Sequence, residues 1–282
     1  MTMPSATPRR GLLYSLGRWR WLHQMVQGLG IYSAANWVLK HLPRTRRLAH
    51  SGARLRIHSV AGLALAEEML DGGAYACLAR IGPVATFIDL GCNAGWFPCL
   101  LREHGSATPV GLLIDADPAM VEEARWHMTA NAIDARCLWG AVGAASRGTV
   151  ATTTFHVNPA NTASSLAPFT SDHPFPVKGR VRTIAVPALT VADEWRRLFG
   201  DRVIDVMKVD VEGAEFAFLR QEGPFITAAV RYVICEWHAW HGSVAELRVI
   251  IEPLGFVLVE VGQEDVNGGV ALFRNTHDVP DG

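Results

Sequence analysis

Two groups of residues in this chain have the types and spacing for chemistry. The first is Asp89-x-Gly91-x-x-x-Gly95, with Cys92 and Asn93 inside it, directly after the apolar run Val84 to Ile88. The second is Asp210, Glu212 and Glu215, joined later by Glu236 and His238. Glycines between a strand and a helix let the backbone turn tightly and approach a ligand. Such a ligand sits against the helix N-terminus, at the carboxyl end of the strand. Carboxylates and an imidazole accept a proton from a reacting group when their surroundings tune them.

The spacing separates two nucleotide-binding patterns. A dinucleotide fingerprint needs G-x-G-x-x-G, and Asn93 stands where its second glycine belongs. This speaks against a nicotinamide-dependent oxidoreductase. The pattern D-x-G-x-x-x-G resembles motif I of the Rossmann-like methyltransferases, which bind S-adenosylmethionine. A second apolar strand, Val110 to Asp115, ends in a carboxylate 20 residues beyond Gly95. An acid there accepts hydrogen bonds from ribose hydroxyls. Ala116 follows it, and a third short strand, Ala135 to Trp139, leads to Gly140 and Ala141, where an adenine has small neighbours. The expected cofactor-binding residues are therefore Asp89, Gly91, Cys92, Asn93, Gly95, Asp115, Ala116, Gly140, Ala141 and, from the second group, Asp210.

The elements that must position these residues alternate strand and helix. Pro118 suits a helix start with Asp117 as its N-cap, running to about Asn131. A helix from Thr190 to Phe199 precedes a fourth strand from Ile204, and Val230 to Glu236 is a fifth. Phe256 to Val261 and Gly269 to Phe273 close the chain as an antiparallel pair. The alternation means an α/β fold. Residues 144–188 break the rhythm: Thr149 to His156 and Val181 to Val186 are β-rich, with a proline-containing loop between. Long insertions tend to be functional, so this one is the candidate substrate-binding surface.

Hydrophobic residues make up 49% and charged residues 19% of the 282, enough for a sizeable core. The five cysteines are odd in number and scattered, which suits buried free thiols in a reducing cytosol. No Cys/His spacing suggests zinc, and no metal is expected, although the clustered carboxylates could also hold Mg²⁺. No uncharged apolar stretch has the length of a membrane span, and the N-terminus lacks signal-peptide features. The expected location is cytoplasmic, with peripheral membrane contact as a further option.

Charge is unevenly placed. Residues 1–66 carry ten Lys/Arg and no Asp/Glu, leaving 16 basic against 27 acidic residues beyond. Residues 1–80 are expected to form a basic helical extension. It has a tail at 1–10, a helix from Arg18 to about Leu42 ended by Pro43, and a second helical stretch over 59–80. Arginines near tryptophans suit an anionic membrane surface; alternatively the helices cap the catalytic domain and the arginines are solvated. Nucleic acid is not expected as a partner, because the whole is not basic. Oligomeric state is open.

Residues 84–274 resemble the FkbM family of methyltransferases. The match is carried by F-I-D-L-G-C-N-A-G-W-F at 87–97, I-D-A-D-P at 114–118 and, most specifically, M-K-V-D-V-E-G-A-E at 207–215. The family shows K-I-D-V-E-G-x-E there, so Val209 is the departure; Asp115 likewise stands for its usual Glu. C-E-W-H at 235–238 is similar to its E-x-H, and Asn161 with Ser164-Ser165-Leu166 to a segment in its insertion. The resemblance implies a Rossmann-like class I fold over 81–282. It has a mostly parallel seven-stranded sheet, an antiparallel final strand and helices on both faces. It also implies S-adenosylmethionine as cofactor and transfer of methyl mostly to hydroxyl oxygens of sugars, glycans or secondary metabolites.

Such a sheet gathers Asp210, Glu212, Glu236 and His238 around one cleft, and these are the expected catalytic residues. Asp210 would organise the site near the methyl donor, and His238 or Glu212 would be the general base. Lys208 would pair with a carboxylate. Methylation of an amine needs less of a base and is the competing enzymatic reading. A cofactor-binding module docked on a membrane or assembly is the non-catalytic one.

Overall fold

A computed structural model describes residues 32–70, 73–143, 152–158, 164–166, 168, 181–277 and 279. The expected tail, the part of the first helix before Tyr32, Asn161 and most of the insertion lie outside these residues. The chain divides into two compact units, one of residues 1–45 and 56–73, the other of 46–55 and 74–282.

In the smaller unit, helix α1 (Tyr32–His41) is followed later by helix α2 (Val60–Leu70). The Asn36 side chain accepts a hydrogen bond from the Val60 backbone N–H at 2.8 Å. That bond satisfies an amide at the start of α2 that has no partner within its own helix. Two short strands, β1 (Arg44–Arg47) and β2 (Arg54–Ile57), pair with each other.

The larger unit is built on seven strands. In chain order they are β3 (Thr86–Leu90), β4 (Val110–Asp115), β5 (Asp134–Trp139), β8 (Ile204–Val209), β9 (Val230–His238), β10 (Phe256–Asp265) and β11 (Gly268–Asn275). A separate antiparallel hairpin, β6 (Thr152–Val157) and β7 (Arg182–Pro187), stands for the β-rich ends of the insertion. The sheet order is β10-β11-β9-β8-β3-β4-β5, and β11 alone runs antiparallel to its neighbours. This is the expected mostly parallel seven-stranded sheet. From β3 the chain moves outward through β4 to β5, then returns to place β8 on the other side of β3. The carboxyl ends of β3 and β8 therefore flank the point where strand order reverses, the usual ligand crevice of such sheets.

Alternation along the strands explains the helices on both faces. Ile88, Leu90, Leu112, Ile114, Met207 and Val209 join one buried cluster with residues of α5 (Val191–Phe199), α6 (Glu215–Ala229) and α7 (Val244–Ile251). On the other face Leu113 lies near Gly95, which packs against Ala124 of α4 (Pro118–Ala130). The α4 start has the expected cap, Asp117 accepting from the Ala119 N–H at 2.9 Å. Between β3 and β4, helix α3 (Phe97–Glu103) is anchored by Glu103, which accepts backbone N–H bonds from His50 and Ser51. Thr190 precedes α5 as expected but makes no side-chain cap bond; instead the buried Glu222 accepts from the Val191 N–H.

Candidate active site

Asp89 and Lys208 are register partners on the neighbouring strands β3 and β8, so their side chains stand beside each other on one face. Immediately beyond, Gly91 has φ +67°, and a Cβ on it would lie 1.6 Å from the Asp210 carbonyl oxygen. The Asp210 N–H also donates to the Leu90 carbonyl at 3.1 Å. The turn behind Asp89 and the acidic segment at 210–215 are thus in direct backbone contact. Gly91 is required by that contact. Gly95 (φ +74°) is likewise required by packing, since a Cβ there would meet Ala124 at 2.9 Å. The tight turn expected of these glycines is present, and the close approach seen at each is to neighbouring protein.

Asn93 at the non-glycine position has φ +46°. Asn tolerates the left-handed region, and its side chain accepts from the Ala94 N–H at 2.8 Å. The other amides from Gly91 to Gly95 are also engaged within the protein. Gly91 and Cys92 donate to the Ile114 carbonyl, Gly95 to Cys92, and Asn93 to Asp115 Oδ2 at 2.7 Å. A pyrophosphate loop offers its N–H groups to the ligand. This one suits a ligand held by side chains instead.

Two of those side chains are acids. Asp89 is fully buried, neither of its oxygens accepts a hydrogen bond among the described residues, and its charge faces Lys208 Nζ at 3.5 Å. Burial pushes its carboxyl up to about 6, with Lys208 opposing. Asp115, half-buried at the end of β4, accepts from the Asn93 and Asp117 N–H groups at 2.7 and 2.8 Å. Burial pushes it up to about 7 against those bonds. Each oxygen of Asp115 keeps a second acceptor lone pair. A buried carboxylate with unused acceptor positions and a second acid with spare acceptors fit a ligand that carries positive charge and hydroxyl groups.

Cys92 is a buried thiol in this loop, and burial pushes it up. Ala116 and Ala141 are buried in a small cluster with Phe155, Val157 and Val186 of the β6–β7 hairpin. On its Cβ side Gly140 meets Leu189, and Ala141 exchanges backbone hydrogen bonds with Pro187 and Leu189. The stretch expected to face an adenine is here engaged with the ends of the insertion and with Leu189 just beyond it.

The acids at 210–215 are organised by two cations. Lys208 Nζ donates to Asp210 Oδ2 at 2.9 Å and to the Gly91 carbonyl at 3.3 Å. Burial works against its charge, but Asp210 and Asp89 outweigh it and hold the ammonium well above its ordinary value. His238, at the end of β9, is gripped on both sides. Its Nε2 lies 3.2 Å from Glu212 Oε2 and its Nδ1 3.2 Å from Glu215 Oε1. Burial again opposes the charged form, but the Glu215 hydrogen bond and the Glu212 charge lift the imidazole to about 10. The two carboxylates thus favour its charged form.

Glu215 is fully buried and also accepts from the Val211 and Gly213 N–H groups, so it fixes the turn. Glu212 sits at the corner of that turn with φ +51°, strained for a residue with a side chain. Burial pushes its carboxyl well above the ordinary range, helped by Asp210, Glu236 and Glu215 and opposed by His238. The Ser165 hydroxyl, from the insertion, donates to the Glu212 carbonyl at 3.1 Å.

Asp210, Glu215 and His238 each offer a potential metal ligand, all within 4.8 Å of one another. However, Glu215 is engaged by backbone amides and both imidazole nitrogens face carboxylates. This donor set would have to be dismantled to hold an ion.

Glu236 joins the group through a residue that sequence reasoning missed. The Tyr75 hydroxyl donates to Glu236 Oε2 at 3.1 Å, across 161 positions of sequence. Tyr75 is buried, packs on Phe97 at 5.8 Å between ring centroids, and is held protonated by burial and by Glu236. Nothing in its local sequence distinguishes it from a core aromatic.

The chain matches the family model described as methyltransferase FkbM domain over residues 89–258. Tyr75 lies before that stretch. No curated protein matches the chain. Among solved structures it is similar to the Methanococcus jannaschii fibrillarin pre-rRNA processing protein, with 13% identity, 84% of each chain covered and a TM-score of 0.47. It is similar too to PH0226 from Pyrococcus horikoshii OT3, with 9% identity, 76% of this chain and 92% of that one covered and a TM-score of 0.45. A third is TrmK of M. capricolum in complex with S-adenosylhomocysteine, with 8% identity, 71% and 67% covered and a TM-score of 0.41. With the matched residues taking up more than half of the sequence and containing all four expected catalytic residues, the chain belongs to the FkbM methyltransferases and is an S-adenosylmethionine-dependent enzyme.

Proposed function

We propose that the protein methylates a hydroxyl oxygen of a sugar, glycan or secondary metabolite. The observation that carries this reading is Glu212: a carboxyl group raised by burial, at a strained corner 3.2 Å from the His238 imidazole, two residues beyond the Asp210 that contacts the Gly91 turn. S-adenosylmethionine supplies a methyl group already activated by its sulfonium charge. What the protein must add is alignment and removal of the hydroxyl proton, because a neutral alcohol is a poor nucleophile. Burial and the neighbouring carboxylates raise the affinity of Glu212 for that proton. His238, whose charged form is favoured by Glu215 and Glu212, is suited to holding Glu212 rather than to taking the proton. Asp210, tied to Lys208 and to the Gly91 turn, organises the donor side. Ser165 supports the insertion as the acceptor-binding surface, since it touches the base's own backbone.

Asp89 and Asp115 would hold the donor, the first by opposing its positive charge, the second through the ribose hydroxyls. Both groups are raised when the ligand is absent, to about 6 and about 7, and both bind it best ionised. Binding therefore lowers their pKa and releases protons. Affinity is full above about pH 7 and is lost as pH falls through 7 and then 6. Calorimetric Kd values for S-adenosylmethionine should weaken roughly tenfold per pH unit below 6 for each coupled proton. A Kd flat from pH 8 to 5 would remove both residues from the binding site.

Tyr75→Phe deletes one hydrogen bond to Glu236 and leaves the ring packing intact. One such bond is worth about 1 kcal/mol, so kcat should fall about fivefold with the donor KM nearly unchanged. An unchanged kcat would make the contact merely structural.

The reaction is tested by labelled-methyl transfer to a panel of sugars, glycans and hydroxylated metabolites beside a matched panel of amines. Acid- and base-stable methyl ethers are expected; methylated nitrogen in the product overturns the oxygen assignment. The five cysteines are free and buried, which supports a cytoplasmic location. Among the described residues, no helix is long and apolar enough to cross a membrane.

A further inference from the structure

The smaller unit carries a group of exposed apolar residues that the proposed methyl transfer does not use. Trp37 is 63% exposed, Val38 47% and Leu42 73%. They are neighbours in space: Val38 and Leu42 are joined by an i,i+4 backbone bond of 2.7 Å, and the Trp37 ring lies 4.5 Å from that of His41. Leu39, on the opposite side of α1, is buried. The helix thus seats one apolar residue inward and turns Trp37, Val38 and Leu42 outward. Ordinary amphipathic packing puts such residues on the inner face.

Charge surrounds this face. Lys40, His41 and Arg44 are exposed beside it. The sequence through residue 66 contains no acid to neutralise them. An apolar edge containing tryptophan, rimmed by cations, has the composition of helices that lie in the headgroup region of anionic bilayers. Tryptophan suits that depth because its ring is amphipathic. Basic residues add attraction to the surface, each worth about a fivefold gain in partitioning. A folded protein partner would have to supply a negative groove for a single helix edge. A bilayer supplies both the charge and the apolar depth without such shaping.

We propose that α1 docks the protein on an anionic membrane surface, with Trp37, Val38 and Leu42 inserted at the interface and Lys40 and Arg44 against the lipid headgroups. The contact is peripheral and reversible. It would deliver the methyltransferase to acceptors made or carried at that surface.

The test is co-sedimentation of the full chain with vesicles of phosphatidylcholine alone and of phosphatidylcholine with 30% phosphatidylglycerol. Binding is expected to the anionic vesicles and not to the neutral ones, and should weaken strongly between 0.1 and 0.5 M salt. Trp37→Ser with Leu42→Ser should lower the partition coefficient at least tenfold. Lys40→Glu with Arg44→Glu should lower it more than tenfold at low salt. All four residues are exposed, so the fold should survive, and unchanged circular dichroism and methyl-transfer rate in solution check this. Failure to bind anionic vesicles, equal binding to neutral ones, or full binding by both double variants overturns the proposal. Self-association that the Trp37→Ser, Leu42→Ser variant abolishes, without vesicle binding, would instead make the face a contact between copies of this chain.

Discussion

Glu212→Gln is expected to lower kcat by about 10²–10⁴-fold, the usual contribution of a positioned general base. The amide keeps the size and can still receive a hydrogen bond from His238, but it cannot take a proton. Because Glu215 continues to grip the other imidazole nitrogen, the turn should hold and the Kd for S-adenosylmethionine should change less than about twofold. A companion experiment separates the base from its partner. His238⁺ holds the Glu212 pKa down, so His238→Gln should move the acid limb of the kcat/KM profile to higher pH and leave it present. Were the imidazole itself the base, that limb would vanish. A Glu212→Gln enzyme with nearly full rate would fit an amine acceptor, whose nitrogen needs little help to lose its proton.

The second large effect is expected at Lys208, on stability. Its ammonium is almost fully buried, 2.9 Å from Asp210 and 3.5 Å from the buried Asp89. Lys208→Met retains much of the volume but strands both carboxylates. Removing one partner of a buried ion pair costs about 3–5 kcal/mol. For a chain of this size that corresponds to a fall in Tm of about 10 °C. Asp89 should also lose its opposing charge and protonate more readily, so the variant should be relatively less impaired at pH 5.5 than at pH 8. Adding Asp210→Asn to Lys208→Met should recover part of the loss, because one stranded charge is then gone. If the single variant melted within a degree or two of the parent, the lysine would be carrying little of the site's electrostatic load.

Much of this architecture is written in local pattern. Val110–Asp115 is a strand with the limits its apolar run and terminal acid predict, and Asp117 caps α4 as Ser, Thr, Asp and Asn do elsewhere. The neighbourhood of Asp89 with Asp210 follows from strand alternation and the handedness of crossovers, which leave β8 few places to go. Other features depend on partners far away in sequence. β9 runs on to His238, past the expected end at Glu236, because Gly268 and Gly269 of β11 pair with His238 and Trp237. That added length is what brings the imidazole between Glu212 and Glu215. Tyr75 meets Glu236 only after the whole sheet has formed. The left-handed backbone at Glu212 is likewise invisible to propensity, which disfavours such a conformation for glutamate.

The contact between Gly91 and the Asp210 carbonyl has a consequence for how this enzyme can diversify. It ties the turn behind Asp89 to the strand end that carries Asp210, so neither half can drift without wedging open the other. Innovation is thereby channelled elsewhere. Under the proposed function, new acceptors are to be sought through changes in the insertion, whose Ser165 donates to the Glu212 carbonyl, while the tied pair is left untouched. Exchanging residues 144–188 between relatives should transplant acceptor preference and leave donor affinity where it was.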